Sequence, residues 1–316
     1  MFIINPTAGK VPFADALVSN IHRFFKQNGG IHNVFLTNGR GEAQSIARQQ
    51  AQIGDEMVAF ACGGEGTSFE VLNGIFGYPN VVLGVMPYGT ANDFLKYFND
   101  DKAFLSLKEQ IGGTAIPIDI IKAGEMYALN QCSCGMDATA AQNTEKFKKF
   151  ATGIVAYKMA IVYTFFSKLG YDMSIKVDGR LIDDRTFLFA VCANSPYYGG
   201  GYKSAPTANP TDGELDFCTI RTMSRLKAIG MLKNYMRGTH IDKEYCKYGR
   251  CSVMEIEAQS EMPVNLDGEI FFRRKIKFEI VRRGVRFLVP SVVASKFSEK
   301  EMSKVGATLN PGYAMY

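Results

Sequence analysis

The sequence predicts an α/β N-terminal domain, with a parallel sheet and flanking helices, followed by a C-terminal antiparallel β-sandwich domain. The chain has 316 residues, 47% of them hydrophobic, which is enough for two domains with separate cores. Strand-like and helix-like runs alternate up to about residue 120, and strands joined by tight turns dominate beyond it. We place the boundary near Lys122, which gives domains 1–122 and 123–290, with 291–316 as a tail that is a candidate to pack back on the first domain.

Apolar periodicity defines the elements of the first domain. Helical spacing is clearest where Phe13, Leu17 and Ile21 fall on one face. Short turns separate each strand from the next helix, which is typical of a parallel sheet covered on both faces. Four strand–helix pairs are therefore predicted, with strands at 2–4, 33–37, 57–62 and 81–86 and helices at 13–27, 41–54, 68–76 and 91–98.

Alternation of apolar and polar residues defines the second domain. A hairpin over 116–130 comes first, with its turn at 123–125. A hairpin followed by further alternating strands favours an antiparallel sandwich or barrel. Further strands are predicted at 173–177, 187–193, 214–220, 252–258, 263–267, 275–281 and 285–289, with helical segments near 144–169 and 224–238.

Charge and cysteine usage restrict the function classes. A net charge of +5 suits anionic ligands or an anionic membrane surface, although a solvated basic surface explains it equally well, and it is too small to indicate nucleic acid. None of the seven cysteines forms a CxxC pair. Cys132 and Cys134 share a strand face but lack matching ligands, so we predict reduced thiols rather than zinc. With neither a leader-like segment nor an apolar run of about 18 residues, a soluble, cytoplasmic protein is expected.

Three glycine-rich turns follow predicted parallel strands, at 5–10, 63–67 and 87–93. The carboxyl ends of parallel strands share one edge of the sheet, where ligands bind. Glycine lets backbone N–H groups approach an anion, and a helix N-terminus adds partial positive charge. Lys10 would add a full charge. The spacings of a Walker A loop and of GxGxxG are absent, but the turns together predict phosphate binding.

Two acidic features stand at turns. Glu65 lies between glycines where the third strand meets its helix, and Asp267-Gly268-Glu269 follows a strand of the second domain. Two carboxylates that flank a glycine can point at one place. A hairpin turn that contains Asp-Gly is, however, common without any function.

The segments "NPTAGK", "GGEGTSFEVLNG", "GTANDF" and "NLDGE" resemble, in order and spacing, those of the diacylglycerol kinase catalytic family. That family includes sphingosine and ceramide kinases and soluble bacterial lipid kinases. "GTANDF" is the specific signature, because NAD kinases and phosphofructokinases share the glycine–acid–glycine turn. The resemblance covers about residues 1–290 and implies ATP in a cleft between an α/β domain and a β-sandwich.

The resemblance also implies roles for individual residues. Nucleotide contacts are expected from the first turn and Thr37, and phosphate contacts from the second turn, with support from the third. Lys10 would neutralise phosphate charge. The expected nucleotide-binding residues are Asn5, Pro6, Thr7, Ala8, Gly9, Thr37, Gly63, Gly64, Glu65, Gly66, Thr67, Gly89, Thr90 and Asn92.

The family turn has Asp where this chain has Glu65, which is one methylene longer. The acid is expected to hold Mg²⁺ through water, since Mg²⁺ usually keeps several waters. The alternative is a degraded site. Asp93 and Asp119 are the other acids implied near the metal, although a helix-start acid and an edge-strand charge would explain them as well.

Catalysis and a second metal are implied in the β-rich domain. Glu269 would be the general base, assisted by Asp267. A structural Mg²⁺ would be held by the Asp212 carboxylate and the backbone carbonyls of Asn209 and Glu214.

The implied activity is ATP- and Mg²⁺-dependent phosphorylation of a lipid hydroxyl, most simply of diacylglycerol, with sphingosine, ceramide or another lipid alcohol as alternatives. Peripheral contact with the inner face of a membrane follows, and a homodimer is possible. The rivals are an NAD kinase-like enzyme and a non-catalytic nucleotide- or lipid-binding regulator. Candidate lipid-contacting residues are Phe165, Phe166, Leu169 and Tyr171, and candidates for anionic head groups are Arg273, Arg274, Lys275, Arg282, Arg283 and Arg286.

Most of these lipid contacts have ordinary explanations. An apolar helical stripe is more often core than lipid slot, and a run of arginines is more often a solvated face. Lys158, within the apolar run 154–166, is expected to snorkel rather than reach the cleft.

Overall fold

The computed structural model describes residues 1–9, 11–147, 154–167 and 170–295. Lys10 and the tail beyond residue 295 therefore lie outside the described residues. The first domain consists of β1 (Phe2–Ile4), α1 (Ala14–Asn28), β2 (Val34–Leu36), α2 (Glu42–Ala51), β3 (Met57–Gly63), α3 (Glu65–Ile75), β4 (Val81–Pro87), 3-10 helices over Asp93–Phe98 and Asp101–Leu105, α4 (Leu107–Ile111) and β5 (Thr114–Ala123).

The first sheet is parallel in the order β2-β1-β3-β4, and helices cover both of its faces. The side chains of β1 pack on both faces of this sheet. Ile3 packs in one core with residues of α2 and α3, while Phe2 and Ile4 pack in another with residues of α1. All three side chains are buried. An unbroken apolar run of this kind is typical of a strand covered on both faces.

The second domain is mainly antiparallel. Its elements are β6 (Met126–Ala128), β7 (Gln131–Gly135), α5 (Met136–Phe147), α6 (Ile154–Ser167), β8 (Tyr171–Val177), β9 (Arg180–Ala193), β10 (Leu215–Arg221), α7 (Arg225–Arg237), β11 (Cys246–Cys251), β12 (Val253–Leu266), β13 (Glu269–Val289) and α8 (Ser291–Ala294). The α/β and antiparallel architecture expected from the sequence is confirmed.

Strand β13 belongs to both domains. It pairs antiparallel with β12 and β5, and its last residues pair parallel with β4 at Arg286 and Phe287. The hydrogen-bonded order is therefore continuous, β11-β10-β9-β7-β12-β13-β4-β3-β1-β2, with β5, β6 and β8 paired beside it. The turn between β12 and β13 carries Asp267 and Glu269 at one end of this long hairpin.

Several boundaries differ from the prediction. The strands predicted at 275–281 and 285–289 are one strand with an irregularity between Val281 and Val285, and those at 252–258 and 263–267 are likewise one. A bulge interrupts the side-chain alternation without ending the ladder. Strand β11 was not predicted, because its residues are mostly half-buried and polar.

Helix boundaries differ as well. Helix α3 begins at Glu65 rather than at residue 68, and the helical segment expected near 144–169 comprises α5 and α6. The beginning of the tail contacts the first domain, since Val293 packs in a core of that domain and Ser291 Oγ donates to Glu109. The boundary near Lys122 and the packing of 296–316 stay predictions.

Candidate functional site

The three glycine-rich turns meet at the carboxyl edge of the parallel sheet. A Cβ on Gly89 would lie 2.4 Å from the Gly64 Cα, so the second and third turns touch backbone to backbone. Gly9 has φ +75°, and its Cβ would lie 2.4 Å from the Tyr88 carbonyl oxygen. Neither position accepts a side chain without displacing backbone. The three turns therefore form one surface.

The same surface lines a cleft of about 1060 Å³ between the domains. The second domain supplies the opposite wall, with residues from α5, the 198–200 segment and the β12–β13 turn. Pro6, Gly63 and Asn92 belong to the turns but lie outside the lining. Of the predicted nucleotide-binding and catalytic residues, those that line the cleft are Asn5, Thr7, Ala8, Gly9, Thr37, Gly64, Glu65, Gly66, Thr67, Gly89, Thr90 and Glu269.

Helix α3 points its N-terminus into the cleft. It begins at Glu65 directly after β3, and among the described residues no side chain caps it. The N–H groups of a first helical turn lack intrahelical partners, and the helix dipole adds partial positive charge. Asn5 holds the neighbouring turn in place, since its Nδ2 donates to Thr67 Oγ1 at 3.4 Å and its Oδ1 accepts the Thr7 amide at 3.1 Å. The arrangement suits a phosphate group.

Glu65 is a carboxyl group in an environment that disfavours its charge. Its Oε1 accepts the Asp93 amide at 2.9 Å. Burial, and then the nearby carboxylates of Asp93 and Asp267, raise the pKa of Glu65 to about 8, against the opposing influence of the Asp93 amide and Lys96. A divalent cation would relieve this unfavourable charge. Oxygen ligands are also those that Mg²⁺ prefers, so the residues fit the metal.

Asp93 ties the two domains together. It is fully buried, pairs with Lys96, and its Oδ2 accepts the Gly200 amide at 2.6 Å. Gly199 and Gly200 line the cleft from the second domain. The contacts that the structure gives Asp93 therefore position the cleft wall.

Asp267 organises the β12–β13 turn. It has φ 48° and 5% exposure, and its carboxylate accepts the backbone amides of Leu129, Asn130 and Gln131. Burial raises the pKa of Asp267 to about 6, although these amides favour the charged form. The turn is thereby anchored to the β6–β7 connection.

Glu269 reaches the phosphate turn. A Cβ on Gly66 would lie 3.0 Å from Glu269 Oε1, and the Glu269 carboxylate pairs with the guanidinium of Arg40. The Glu269 side chain is 25% exposed. A carboxylate from the second domain therefore lies beside the N-terminus of α3, and a carboxylate of this kind can accept a proton.

Replacement of the Asp267 carboxyl should change how stability depends on pH. Because the folded-state pKa, about 6, exceeds the ordinary 3.8, the folded protein binds this proton more tightly than the unfolded chain. The stabilisation that this proton gives the folded state is fully present below pH 3.8 and is lost as the pH rises to about 6. Relative to Asp267→Asn, wild type should lose up to about 3 kcal/mol of unfolding free energy over this range, by urea titration.

Asp178→Asn is the matched control. Asp178 also has φ 48° before a glycine and accepts two backbone amides, those of Ser252 and Val253, but it is exposed. Asp178→Asn therefore removes the same group from a similar turn that is open to solvent. An equal pH effect in both variants would contradict the role of burial at Asp267.

The hydrogen-bond partners of Asp119 are not residues of the cleft. Its two oxygens accept the amides of Gly213 and Arg283, each at 2.7 Å, and it is 2% exposed. A solvated edge charge is thus excluded. Burial raises the pKa of Asp119, against these two amides and nearby arginines. The structure places this acid between the 209–214 loop and the irregularity in β13, and it does not bring the Asp119 carboxylate to the cleft.

The loop predicted to hold a structural Mg²⁺ has an arginine as its cationic partner. Arg250 lies 3.7 Å from the Asp212 carboxylate and 2.7 Å from that of Glu214. The Asn209 carbonyl accepts the Asp212 amide at 3.4 Å. A metal ion in this loop stays a prediction.

The expected lipid contacts are only partly described. Tyr171 is 8% exposed and its hydroxyl bonds that of Thr139, so it belongs to the core, as the ordinary explanation of this apolar stripe expects. Arg282 and Arg286 donate to the carbonyls of Gly213 and Pro79 and so have structural partners. Leu169 and the side chains of Lys158, Phe165 and Phe166 lie outside the described residues.

The helical wall of the cleft continues into an apolar face. Helix α5 lines the cleft through Ala141 and Thr144, and α6 packs on α5. Helix α6 exposes Val155 (57%), Met159 (38%) and Val162 (56%). In the described part of the chain, none of the helices has the length and hydropathy needed to span a membrane.

Sequence reasoning missed three contributors to the site. Arg40, Lys96 and the 198–200 segment contact or line it without having been assigned. Each has a signal in hindsight: Arg40 follows the assigned Thr37, Lys96 lies one turn after Asp93, and Gly199-Gly200-Gly201 is a glycine cluster. None of these signals shows which acidic residue Arg40, Lys96 or the glycine cluster would contact.

Comparison with known proteins covers both halves of the chain. Residues 1–123 match the family described as "Diacylglycerol kinase catalytic domain", and residues 130–289 match "YegS C-terminal NAD kinase beta sandwich-like domain". The two matched regions are the two domains that form the cleft.

Individual relatives extend over nearly the full length. A diacylglycerol kinase of Bacillus subtilis is 27% identical over 300 residues, which is 94% of this chain and 98% of the relative. One from Staphylococcus carnosus is 26% identical over 92% of this chain and 95% of its own length. A crystal structure of a diacylglycerol kinase from Bacillus anthracis, 19% identical, superimposes with a TM-score of 0.67 over 92% of this chain and 97% of its own, and it supports the fold.

Proposed function

Because the chain belongs to the diacylglycerol kinase-like family of lipid kinases, we propose that it transfers the γ-phosphoryl group of ATP to the hydroxyl of diacylglycerol, with Mg²⁺ as the metal. The products are ADP and phosphatidic acid. The observation that carries the proposal is the Glu269 carboxylate beside Gly66, in the cleft that also contains the α3 N-terminus. A base and a phosphate-binding surface thus face each other.

The geometry supports a direct transfer. The ATP phosphates would lie on the N–H groups at Gly64 to Thr67, so that the γ-phosphorus faces the second domain. Glu269 would accept the proton of the lipid hydroxyl. The oxygen of that hydroxyl would attack the γ-phosphorus, and ADP would leave. The Glu65 carboxylate would hold Mg²⁺, which would supply positive charge for the phosphate oxygens. Positioned charge is the main contribution that a protein makes to phosphoryl transfer.

Arg40 is placed to regulate access to the base. Its guanidinium pairs with Glu269 while its side chain is 72% exposed. The acceptor hydroxyl has to approach the same carboxylate, so the ion pair must loosen for the reaction. An exposed pair of this kind contributes little to stability and can open at small cost.

A labelled-ATP assay against a panel of lipid alcohols tests the proposal. With diacylglycerol, sphingosine, ceramide and NAD as acceptors, we expect labelled phosphatidic acid, and we expect chelation of Mg²⁺ to stop its formation. Label in the NAD product would instead support an NAD kinase-like enzyme. ATP binding without any labelled product would support a regulator and contradict the proposal.

We further propose that the protein works at the inner face of a membrane, as a peripheral protein, because its acceptor lies in lipid. The exposed apolar face of α6, next to the helix that lines the cleft, is the surface that we assign to this contact. Transfer of partly exposed valines into the interface contributes about 1 kcal/mol each.

Changes on α6 should weaken membrane binding. Val155→Ser with Val162→Ser is expected to reduce sedimentation with anionic vesicles roughly tenfold or more. Ile31→Ser is the matched control, since Ile31 is 97% exposed in the first domain. Equal losses in both proteins, or none in either, would show that α6 is not the contact.

A further inference from the structure

Two thiols and an imidazole that do not line the cleft come together in the second domain. Cys218 lies in β10, Cys246 begins β11, and His240 lies between α7 and β11. One ligand atom from each lies within 4.8 Å of the others. We propose that these three residues form a binding site for a thiophilic divalent cation, of which Zn²⁺ suits the ligands best.

The distance between the thiols fits this metal. Two thiolates bound to one tetrahedral Zn²⁺ at about 2.3 Å stand about 3.8 Å apart. Cys218 Sγ and Cys246 Sγ are 3.7 Å apart. The strand register does not favour a disulfide, because Cys246 pairs with Ile220 and is therefore only a diagonal neighbour of Cys218.

The imidazole is oriented as a metal ligand would be. His240 is fully buried, its Nε2 lies 3.1 Å from the Ser204 carbonyl oxygen, and its Nδ1 has no hydrogen-bond partner among the described residues. With its proton on Nε2, the ring donates to the Ser204 carbonyl, and the Nδ1 lone pair is then available to a metal. Metal-bound histidines usually donate their other N–H to such a carbonyl. An unpaired nitrogen in a buried position is otherwise costly.

These side chains bind a metal as a neutral imidazole and two thiolates, so binding releases the thiol protons. Cys246 is half-buried, which leaves one side where water can be the fourth ligand.

Spectroscopy of the full chain with Co²⁺ tests the site. Reduced, chelator-treated protein should bind one Co²⁺ with a sulfur-to-cobalt charge-transfer band, and Zn²⁺ should abolish that band. Cys246→Ser and His240→Ala should each weaken Co²⁺ binding at least tenfold. Cys251→Ser is the matched control, because it removes a thiol from the other end of β11 and should leave the band unchanged.

Each other outcome contradicts the site. Co²⁺ bound without a thiolate band would indicate the exposed His22–His32 pair, whose rings lie in contact. A band that persists in Cys246→Ser and His240→Ala would place the metal elsewhere. A Cys218–Cys246 disulfide in freshly isolated protein, with no bound metal, would show that the pair serves as a redox bond. None of these readouts depends on kinase activity.

Discussion

Glu269→Gln should lower product formation by about 10²-fold or more while nucleotide affinity stays nearly unchanged. The amide keeps the shape of the side chain but cannot accept the proton of the lipid hydroxyl. The proposed phosphate contacts lie in the other domain, at the N-terminus of α3. Calorimetry with a non-hydrolysable ATP analogue measures affinity, and the lipid assay measures turnover.

Two controls separate the base from its ion pair. Glu257→Gln removes an exposed carboxylate on β12 that pairs with Lys275 at 3.4 Å, and it should leave turnover unchanged. Arg40→Ala removes the partner of Glu269 and keeps the base. If Arg40→Ala lowered turnover as far as Glu269→Gln does, the ion pair would matter and the assignment of the base would be wrong. Loss of nucleotide binding in Glu269→Gln would mean a structural hairpin.

Glu65→Ala should lower turnover by roughly 10²–10⁴, because it removes the charge expected to position Mg²⁺ at the phosphates. Glu65→Asp should retain or raise activity, since it keeps the charge on a shorter side chain. The lipid assay across a Mg²⁺ titration measures both. Alanine turnover equal to that of wild type would contradict the metal role.

Glu65→Gln distinguishes charge from structure. The amide oxygen can still accept the Asp93 amide, so the local backbone should remain in place. Activity should fall as in Glu65→Ala. In metal-free protein at pH 8, Glu65→Gln should melt at a temperature equal to or above that of wild type. The reason is that burial disfavours the ionised form of Glu65, whose pKa is raised to about 8. A lower melting temperature would show that the charge stabilises the fold.

The meeting of the three glycine turns could be predicted from the sequence. Each turn follows a predicted strand, and parallel strands place their carboxyl ends at one edge. Local signals of this kind need no knowledge of distant partners. Glu269 was assigned through the resemblance of "NLDGE" to the family, because an Asp-Gly turn by itself is common without any function.

Contacts between distant segments could not be predicted. Arg40 and Glu269 are 229 positions apart, and Asp267 accepts amides of residues 129–131. The short spacings of known zinc motifs are absent between Cys218, His240 and Cys246. The sequence-based expectation against zinc therefore rested on Cys132 and Cys134 alone. Register between strands, rather than local pattern, brings these residues together.

The 21-residue strand β13 has a consequence for how the protein folds and opens. Its last residues complete the sheet of the first domain, and its first residue is the proposed base. A chain cut after β5 would leave β4 with an unpaired edge, so we expect the first domain to fold poorly alone and the protein to unfold in one cooperative transition. A hinge between the domains would have to bend paired strands. Exchange of nucleotide should therefore depend on side chains and short segments at the rim of the cleft, such as Arg40 and Gly199-Gly200, and not on separation of the two domains.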